Sequence, residues 1–246
     1  MKLCDGLWLV GSGALGVGIS APYDCNVYLL DAGGTYAMID AGAGPEPAQI
    51  RENIVRDGIA PPKVSALLLT HHHSDHAGAA AAWKRDTGLM VYAPADEAAS
   101  IETGDEAALG LNVAKAAGFY PGDYVFTPCA IDRKVRTGDR FIVGDLTFRV
   151  LDGAGHSLGG VCYACRIGGN EAMFTGDLLS FGGRISLQNI PGVSVKRYAQ
   201  SVLALEGEHV DCFLPGHGLF SLSDGGEHVR RAAAAFRSLG VPPNAI

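Results

Sequence analysis

No apolar run in this chain of 246 residues reaches the eighteen or so needed to span a bilayer, so a membrane segment is not expected. Behind the single basic residue of Met1-Lys2-Leu3-Cys4-Asp5 there is no apolar stretch of the secretory kind. A cytoplasmic setting is therefore expected. Charge is scarce, at 18% of residues, and it is acidic, with 26 Asp and Glu against 19 Lys and Arg for a net -7. That balance leaves no basic patch and excludes nucleic acid as an expected partner. Cysteine is limited to six scattered residues, mostly inside apolar segments. The one close pair, Cys162-Tyr163-Ala164-Cys165, lies in a strand-like context, where an offset of three puts the two sulfurs on opposite faces. Buried, reduced thiols are the expectation, rather than a redox or zinc motif.

Glycine, by contrast, is abundant: 34 residues, about twice average usage, which implies many tight turns and loops that approach a ligand closely. Hydrophobic residues at 48% can fill a substantial core, and the length fits one α/β domain over residues 1–246. The densest chemistry lies in Leu69-Thr70-His71-His72-His73-Ser74-Asp75-His76, directly after the apolar run Val64 to Leu69. Its pattern, Thr-His-x-His-x-Asp-His, gathers His71, His73, Asp75 and His76 at the end of a strand. Neutral imidazoles with a carboxylate suit zinc, iron or manganese. On strand alternation His72 points away from that group. His209 and His228 stand in polar helical or turn contexts and read as surface residues.

Three further ligand-type residues each follow an apolar strand-like segment and sit in a glycine-bearing turn. They are His156 in Asp152-Gly153-Ala154-Gly155-His156, Asp177 in Phe174-Thr175-Gly176-Asp177, and His217 in Leu214-Pro215-Gly216-His217. Asp40, in Met38-Ile39-Asp40-Ala41-Gly42, closes another strand. Together these motifs resemble the metallo-β-lactamase-fold proteins, in the binuclear branch of glyoxalase II and the lactonases, from Asp40 to His217 and in the family's order.

The resemblance implies a four-layer αββα sandwich and two divalent metal ions, zinc foremost, with iron or manganese as alternatives. It assigns His71, His73 and His156 to one ion, Asp75, His76 and His217 to the other, and Asp177 as the bridge. Asp40 would support the ligands from behind, and Asp75 would also orient the nucleophile and carry a proton. Two cations roughly 3.5–4 Å apart sharing a hydroxide supply a nucleophile at neutral pH without Ser or Cys.

Periodicity and turn residues predict strands over Leu7–Val10, Cys25–Asp31, Tyr36–Asp40, Val64–Thr70 and Leu89–Ala93, with helices over Glu46–Asp57 and Ala77–Arg85. Further strands are predicted over Phe141–Val143, Leu146–Asp152, Val161–Ile167, Glu171–Thr175 and Asp211–Leu214. Helices are predicted over Val195–Glu206 and Gly225–Leu239. Residues 95–127 interrupt this order with a short helix over Ala107–Ala117 and the aromatic stretch from Phe119 to Phe126. The insertion reads either as a lid over the metal cleft or as a segment packing its aromatics on its own core. With the loop Leu178–Pro191 it supplies the candidate pocket residues Tyr120, Phe126, Phe181, Arg184 and Gln188, joined by Tyr23.

For the substrate, the resemblance points to a small molecule with a carboxylic ester-type bond, a lactone ahead of a thioester and a phosphodiester third. Only residues 218–246 follow His217, less than the glutathione-binding helical region of the thioester hydrolases needs. Lactonases match in ligand set but carry tyrosine where this chain has Ser180. Single-iron persulfide dioxygenases share much of the ligand alphabet and stand as the alternative. A homodimer is compatible with the reading.

Overall fold

A computed structural model describes residues 1–245. Short apolar runs, buried along nearly their whole length, build its first sheet. Strands β1 (Lys2–Cys4), β2 (Leu7–Gly11), β3 (Val27–Asp31) and β4 (Tyr36–Ile39) pair antiparallel in chain order. Strands β5 (Val64–Leu68), β6 (Met90–Pro94) and β7 (Arg133–Val135) extend that sheet in parallel. Alternate residues face opposite sides, and here both sides are buried. Leu7, Leu9, Tyr28, Leu30, Ile39 and Leu68 enter one apolar cluster, while Val10, Leu29, Met38 and Leu67 enter another.

Parallel neighbours require crossovers, and these supply the first helical layer. Helix α1 (Ala48–Arg56) joins β4 to β5 and buries Ile50 and Ile54. A single turn, α2 (Ser74–Ala77), and α3 (Ala80–Thr87) join β5 to β6 and bury Trp83 against the same face. Helix α3 stops where Gly88 takes a left-handed φ of 72° and returns its N–H to the Lys84 carbonyl. Helices α4 (Ala98–Thr103) and α5 (Leu111–Ala116) lie between β6 and β7.

The second sheet is a meander of β8 (Arg140–Val143), β9 (Leu146–Asp152), β10 (Val161–Ile167) and β11 (Asn170–Gly176). Strand β12 (Cys212–Pro215) pairs parallel to β11 after the crossover helix α6 (Val195–Leu205). The last helix, α7 (Gly226–Arg237), packs with α6. Phe148, Tyr163, Phe174 and Leu214 turn inward to meet the first sheet, and Cys162, Met173 and Phe213 turn outward to meet Tyr198, Val202, Val229 and Phe236. Three apolar clusters thus separate four layers, the αββα sandwich that the resemblance implies. Each fully buried large side chain in them contributes about 1.5–3 kcal/mol relative to exposure.

Several elements differ from the sequence reading. Strands β1 and β7 are three residues each, too short to show a period. Helix α4 was not anticipated either. The helix predicted over Ala77–Arg85 divides at Gly78 and Ala79, because the His-rich cluster takes its own turn first. The predicted helix over Ala107–Ala117 narrows to α5, which begins after Gly110. His228 is not a surface residue: it is 7% exposed, wedged between Phe181 and Phe213, with Nδ1 accepting from the Gly182 N–H at 3.1 Å. All six cysteines are free thiols, and Cys162 and Cys165 do lie on opposite faces of β10. Among the described residues no helix is long and apolar enough to cross a membrane.

Candidate metal centre

The histidines and carboxylates singled out from the sequence converge at one end of the two sheets. Asp40 follows β4, the cluster from His71 to His76 follows β5, and His156 follows β9. Asp177 follows β11 and His217 follows β12. Each strand is fixed by its buried faces, so each loop starts from a rigid point.

Three groups form there that could hold metal ions: His71, His73 and His156; Asp75, His76, Asp177 and His217; and Cys25, Asp40 and His76, which shares His76 with the second. In the first, His73 Nδ1 lies 3.0 Å from both His71 Nε2 and His156 Nε2. Proton accounting shows what this means. His156 Nδ1 must donate to the Ser186 carbonyl at 2.8 Å, so its Nε2 is a bare lone pair. The Thr70 hydroxyl gives its proton to Asp40, so His71 Nδ1 donates to Thr70 Oγ1 at 3.0 Å and its Nε2 is bare too. Two lone pairs therefore face a third ring nitrogen in a buried space. A cation resolves that arrangement, and neutral imidazole is the form that binds one. Burial first, then mutual repulsion, holds His71 and His73 well below the ordinary histidine pKa.

The second group is ionic. His217 Nε2 lies 2.9 Å from Asp75 Oδ2, and His76 Nε2 lies 3.5 Å from the same oxygen. Asp177 reaches both the first group and the second. Its Oδ1 is 3.3 Å from His76 Nε2, and its Oδ2 is 3.5 Å from His156 Nε2 and 3.6 Å from His217 Nε2. Burial alone would raise the Asp177 carboxyl, but the imidazoles of His217, His76 and His156 hold it well below its usual range. Asp75 is lowered in the same way, against burial, by His76 and His217. Among the described residues no lysine or arginine pairs with Asp40, Asp75 or Asp177. The buried His76 Nε2 and Asp177 Oδ1 have no hydrogen-bond partner. Buried anions and orphaned acceptors of this kind call for cations, and the donor set of imidazoles and carboxylates fits zinc, iron or manganese.

Surrounding residues fix this geometry. Asp40 takes a left-handed φ of 59°, tolerable for aspartate, and accepts from the Thr70 N–H at 2.8 Å and from His76 Nδ1 at 2.8 Å. One carboxylate thereby orients a ligand-type imidazole and the end of β5. Gly216 is required by space, since a Cβ there would lie 2.4 Å from Asp177 Oδ1 and 2.6 Å from His76 Cε1. His72 points away as expected, its Nδ1 donating to Ser100 Oγ at 2.8 Å. His209 is on the surface.

A cavity of about 460 Å³ opens onto the clusters and is lined by His73, Asp75, His156, Asp177 and His217. Of the pocket candidates, Tyr120 and Gln188 line it. Tyr120 engages the Asp75 carboxylate, and burial and that charge push its pKa up. Phe126 does not line the cavity; it is buried at 4% exposure in the apolar cluster under the first sheet. Tyr23 meets the Tyr120 ring at a tilt of 38° and 5.5 Å between centroids, outside the lining. Phe181 and Arg184 line a separate cavity of about 300 Å³ that shares Leu15 and His217 with the first.

Sequence reasoning missed Glu97 and the apolar lining. Glu97 is 1% exposed and accepts from the His72 N–H at 2.9 Å and the Gly159 N–H at 2.7 Å. It ties the loop carrying His71 and His73 to the loop carrying His156. The only available signal was an acid just past the apolar strand β6. Leu15 and the leucines of 109–111 carry no chemistry that a motif search could register.

A hydroxyacylglutathione hydrolase of Rhizobium etli is 30% identical over 175 residues, covering 71% of this chain and 55% of that protein. One of Rhodopseudomonas palustris is 34% identical over 157 residues, covering 63% and 48%. The chain thus spans about half the length of the curated relatives it matches. Among solved structures, a subclass B3 metallo-beta-lactamase of Bradyrhizobium japonicum superposes with a TM-score of 0.72 at 22% identity, over 97% of this chain and 91% of that one. Residues 21–217, from before Asp40 through His217, match the metallo-beta-lactamase superfamily, and the chain belongs to that family.

Proposed function

We propose that this chain is a binuclear metal-dependent hydrolase of a carboxylic ester-type bond. His71, His73 and His156 would hold one divalent ion, Asp75, His76 and His217 the other, and Asp177 is placed to serve both. The observation that carries this reading is Asp177, whose two oxygens lie within 3.6 Å of imidazole nitrogens from both groups. A single-iron centre would leave the second group without a use. Zinc is the foremost candidate, given tetrahedral demand and nitrogen and oxygen donors.

When bound, the ion pair supplies an activated water and polarises the scissile carbonyl. The chain's residues do the rest. Asp75 lines the cavity, and its carboxylate would take the proton of the attacking hydroxide and hand it to the departing oxygen or sulfur. Tyr120 limits the freedom of that carboxylate. Asp40 keeps His76 Nδ1 protonated and its Nε2 turned toward the centre. The segment 95–127 covers the cavity as a lid, with Leu109 to Tyr120 forming its wall.

Lactone remains the foremost substrate, with thioester beside it. The names of the Rhizobium and Rhodopseudomonas relatives support acyl-thioester cleavage, and no lysine or arginine lines the cavity to grip a phosphodiester's second ester group. A cytoplasmic setting accords with the six free thiols. Elemental analysis of protein purified without chelator should find close to two divalent ions per chain. A panel of lactones, acyl thioesters and bis-nitrophenyl phosphate should then show turnover of the carbonyl substrates, lost on chelation and restored by metal. Turnover of the phosphate diester alone, or one iron with persulfide-dependent oxygen uptake, would overturn the reading.

A further inference from the structure

The cavity that opens onto Asp75 and Asp177 is walled by Leu15, Leu109, Leu111, Val113, Phe119 and Ile190. Three of these, Leu15 at 47%, Val113 at 38% and Phe119 at 45%, keep a large apolar surface exposed toward it or its mouth. Neither lysine nor arginine lines it. The nearby Lys115 is held by Glu106 at 2.7 Å, and Arg184 belongs to the neighbouring cavity. Exposed apolar side chains gathered around a reactive centre mark a ligand surface, and about 460 Å³ is within the usual size of a small-molecule site.

We infer that this cavity takes an aliphatic acyl chain, so that the substrate is a neutral, chain-bearing lactone or thioester rather than a glutathionyl ester. The inference rests on the hydrolase reading above and adds the substrate class. A glutathionyl group brings two carboxylates and an ammonium, and the carboxylates would find no cation on this wall. Desolvating them without partners opposes binding. A methylene chain meets the wall at no such cost and leaves its carbonyl at the cavity floor, beside the clusters. The walls come from α5 and the turns on either side of it, from the loop after β2 and from the loop after β11, so chain length is measured between the 95–127 segment and the 178–191 loop.

The test uses the metal-loaded protein and thioesters of one small neutral thiol, with acetyl, butyryl, hexanoyl and octanoyl groups. Each methylene transferred from water to the wall should raise kcat/KM by about fourfold until the cavity is full. Ala114→Phe, which fills the wall, should lower the octanoyl-to-acetyl ratio tenfold or more. Calorimetry with butyrate and octanoate gives a readout independent of turnover, with octanoate binding tighter and with a more negative heat-capacity change. A flat chain-length series, or preference for a glutathionyl ester over octanoyl, would overturn the inference and leave the hydrolase reading standing. Failure of every thioester and lactone with octanoate still binding tightly would overturn the hydrolase reading and leave the chain site standing. Failure of turnover with octanoate no tighter than butyrate would overturn both.

Discussion

Replacing Glu97 should cost both stability and metal, although it touches neither a ligand-type side chain nor the cavity. Its carboxylate is buried and, among the described residues, pairs with no lysine or arginine; its oxygens receive the N–H groups of His72 and Gly159. Glu97→Ala leaves two buried amide donors unpaired, at about 1–3 kcal/mol each, and an empty volume besides. Glu97→Gln keeps the shape and one acceptor but points an amide donor at a backbone N–H. It should cost about 1–3 kcal/mol, or roughly 2–12 °C in Tm for a chain of this size.

The stability loss alone would only show packing. The distinguishing measurement is metal titration of both variants at a temperature where each is folded. Loops that lose their common anchor no longer hold His71 and His73 in register with His156, so metal affinity should fall in the Gln variant and more in the Ala variant. Changes to groups that orient metal ligands typically weaken binding by about 10–100-fold. If Glu97→Ala lowers Tm but binds metal and turns over substrate as wild type does, the coupling between the two loops is refuted.

Asp177→Asn should lower the second-metal content and kcat while circular dichroism stays native, because the amide offers one neutral oxygen where both groups need an anion; full metal content with wild-type turnover would sink that assignment. Tyr120→Ala should raise KM or change substrate preference, since Tyr120 lines the cavity, whereas Phe126→Ala should lose about 3–5 kcal/mol of stability with unchanged KM, since it lies in the core. Steady-state kinetics with thermal melts separates the two. Burial holds His228 below its ordinary pKa of 6.5, so it is neutral when folded and protonates first in the unfolded chain. Its contribution is then complete above 6.5 and is lost as pH falls through the native value; His228→Gln should flatten the acid limb of a Tm-against-pH curve, and an unchanged limb would count against it.

How far the sequence anticipates the molecule depends on which physics is local. Strands such as Leu7–Gly11 and Val161–Ile167 are legible because short apolar runs, buried on both faces, are bounded by turn residues. The ligand-type residues are legible because imidazole and carboxylate beside glycine at strand ends are rare in combination. His228 was misread because its own segment is polar. What buries it is the ring of Phe181 and the ring of Phe213, which no window around residue 228 contains. Phe126 was misread in the opposite sense: the aromatic stretch suggested a pocket wall, but Tyr120 faces the cavity while Phe126 turns into the core beneath the first sheet.

The insertion both packs on the first core and lines the cavity. Phe126 and the buried face of Tyr120 anchor it to the first core, and Tyr124 donates to the Ala43 carbonyl at 2.6 Å, beside the loop that carries Asp40. Leu109, Leu111, Val113 and Phe119 face the cavity from the segment so anchored. Glu97, at the insertion's start, grips the loops of both the first histidines and His156. A wall built on such anchors cannot move as a free flap without disturbing the metal loops. Filling the chain site should accordingly slow amide exchange at the His72 and Gly159 N–H groups, which lie behind the site and not in it. Exchange there unchanged by octanoate would show that wall and metal loops are mechanically independent.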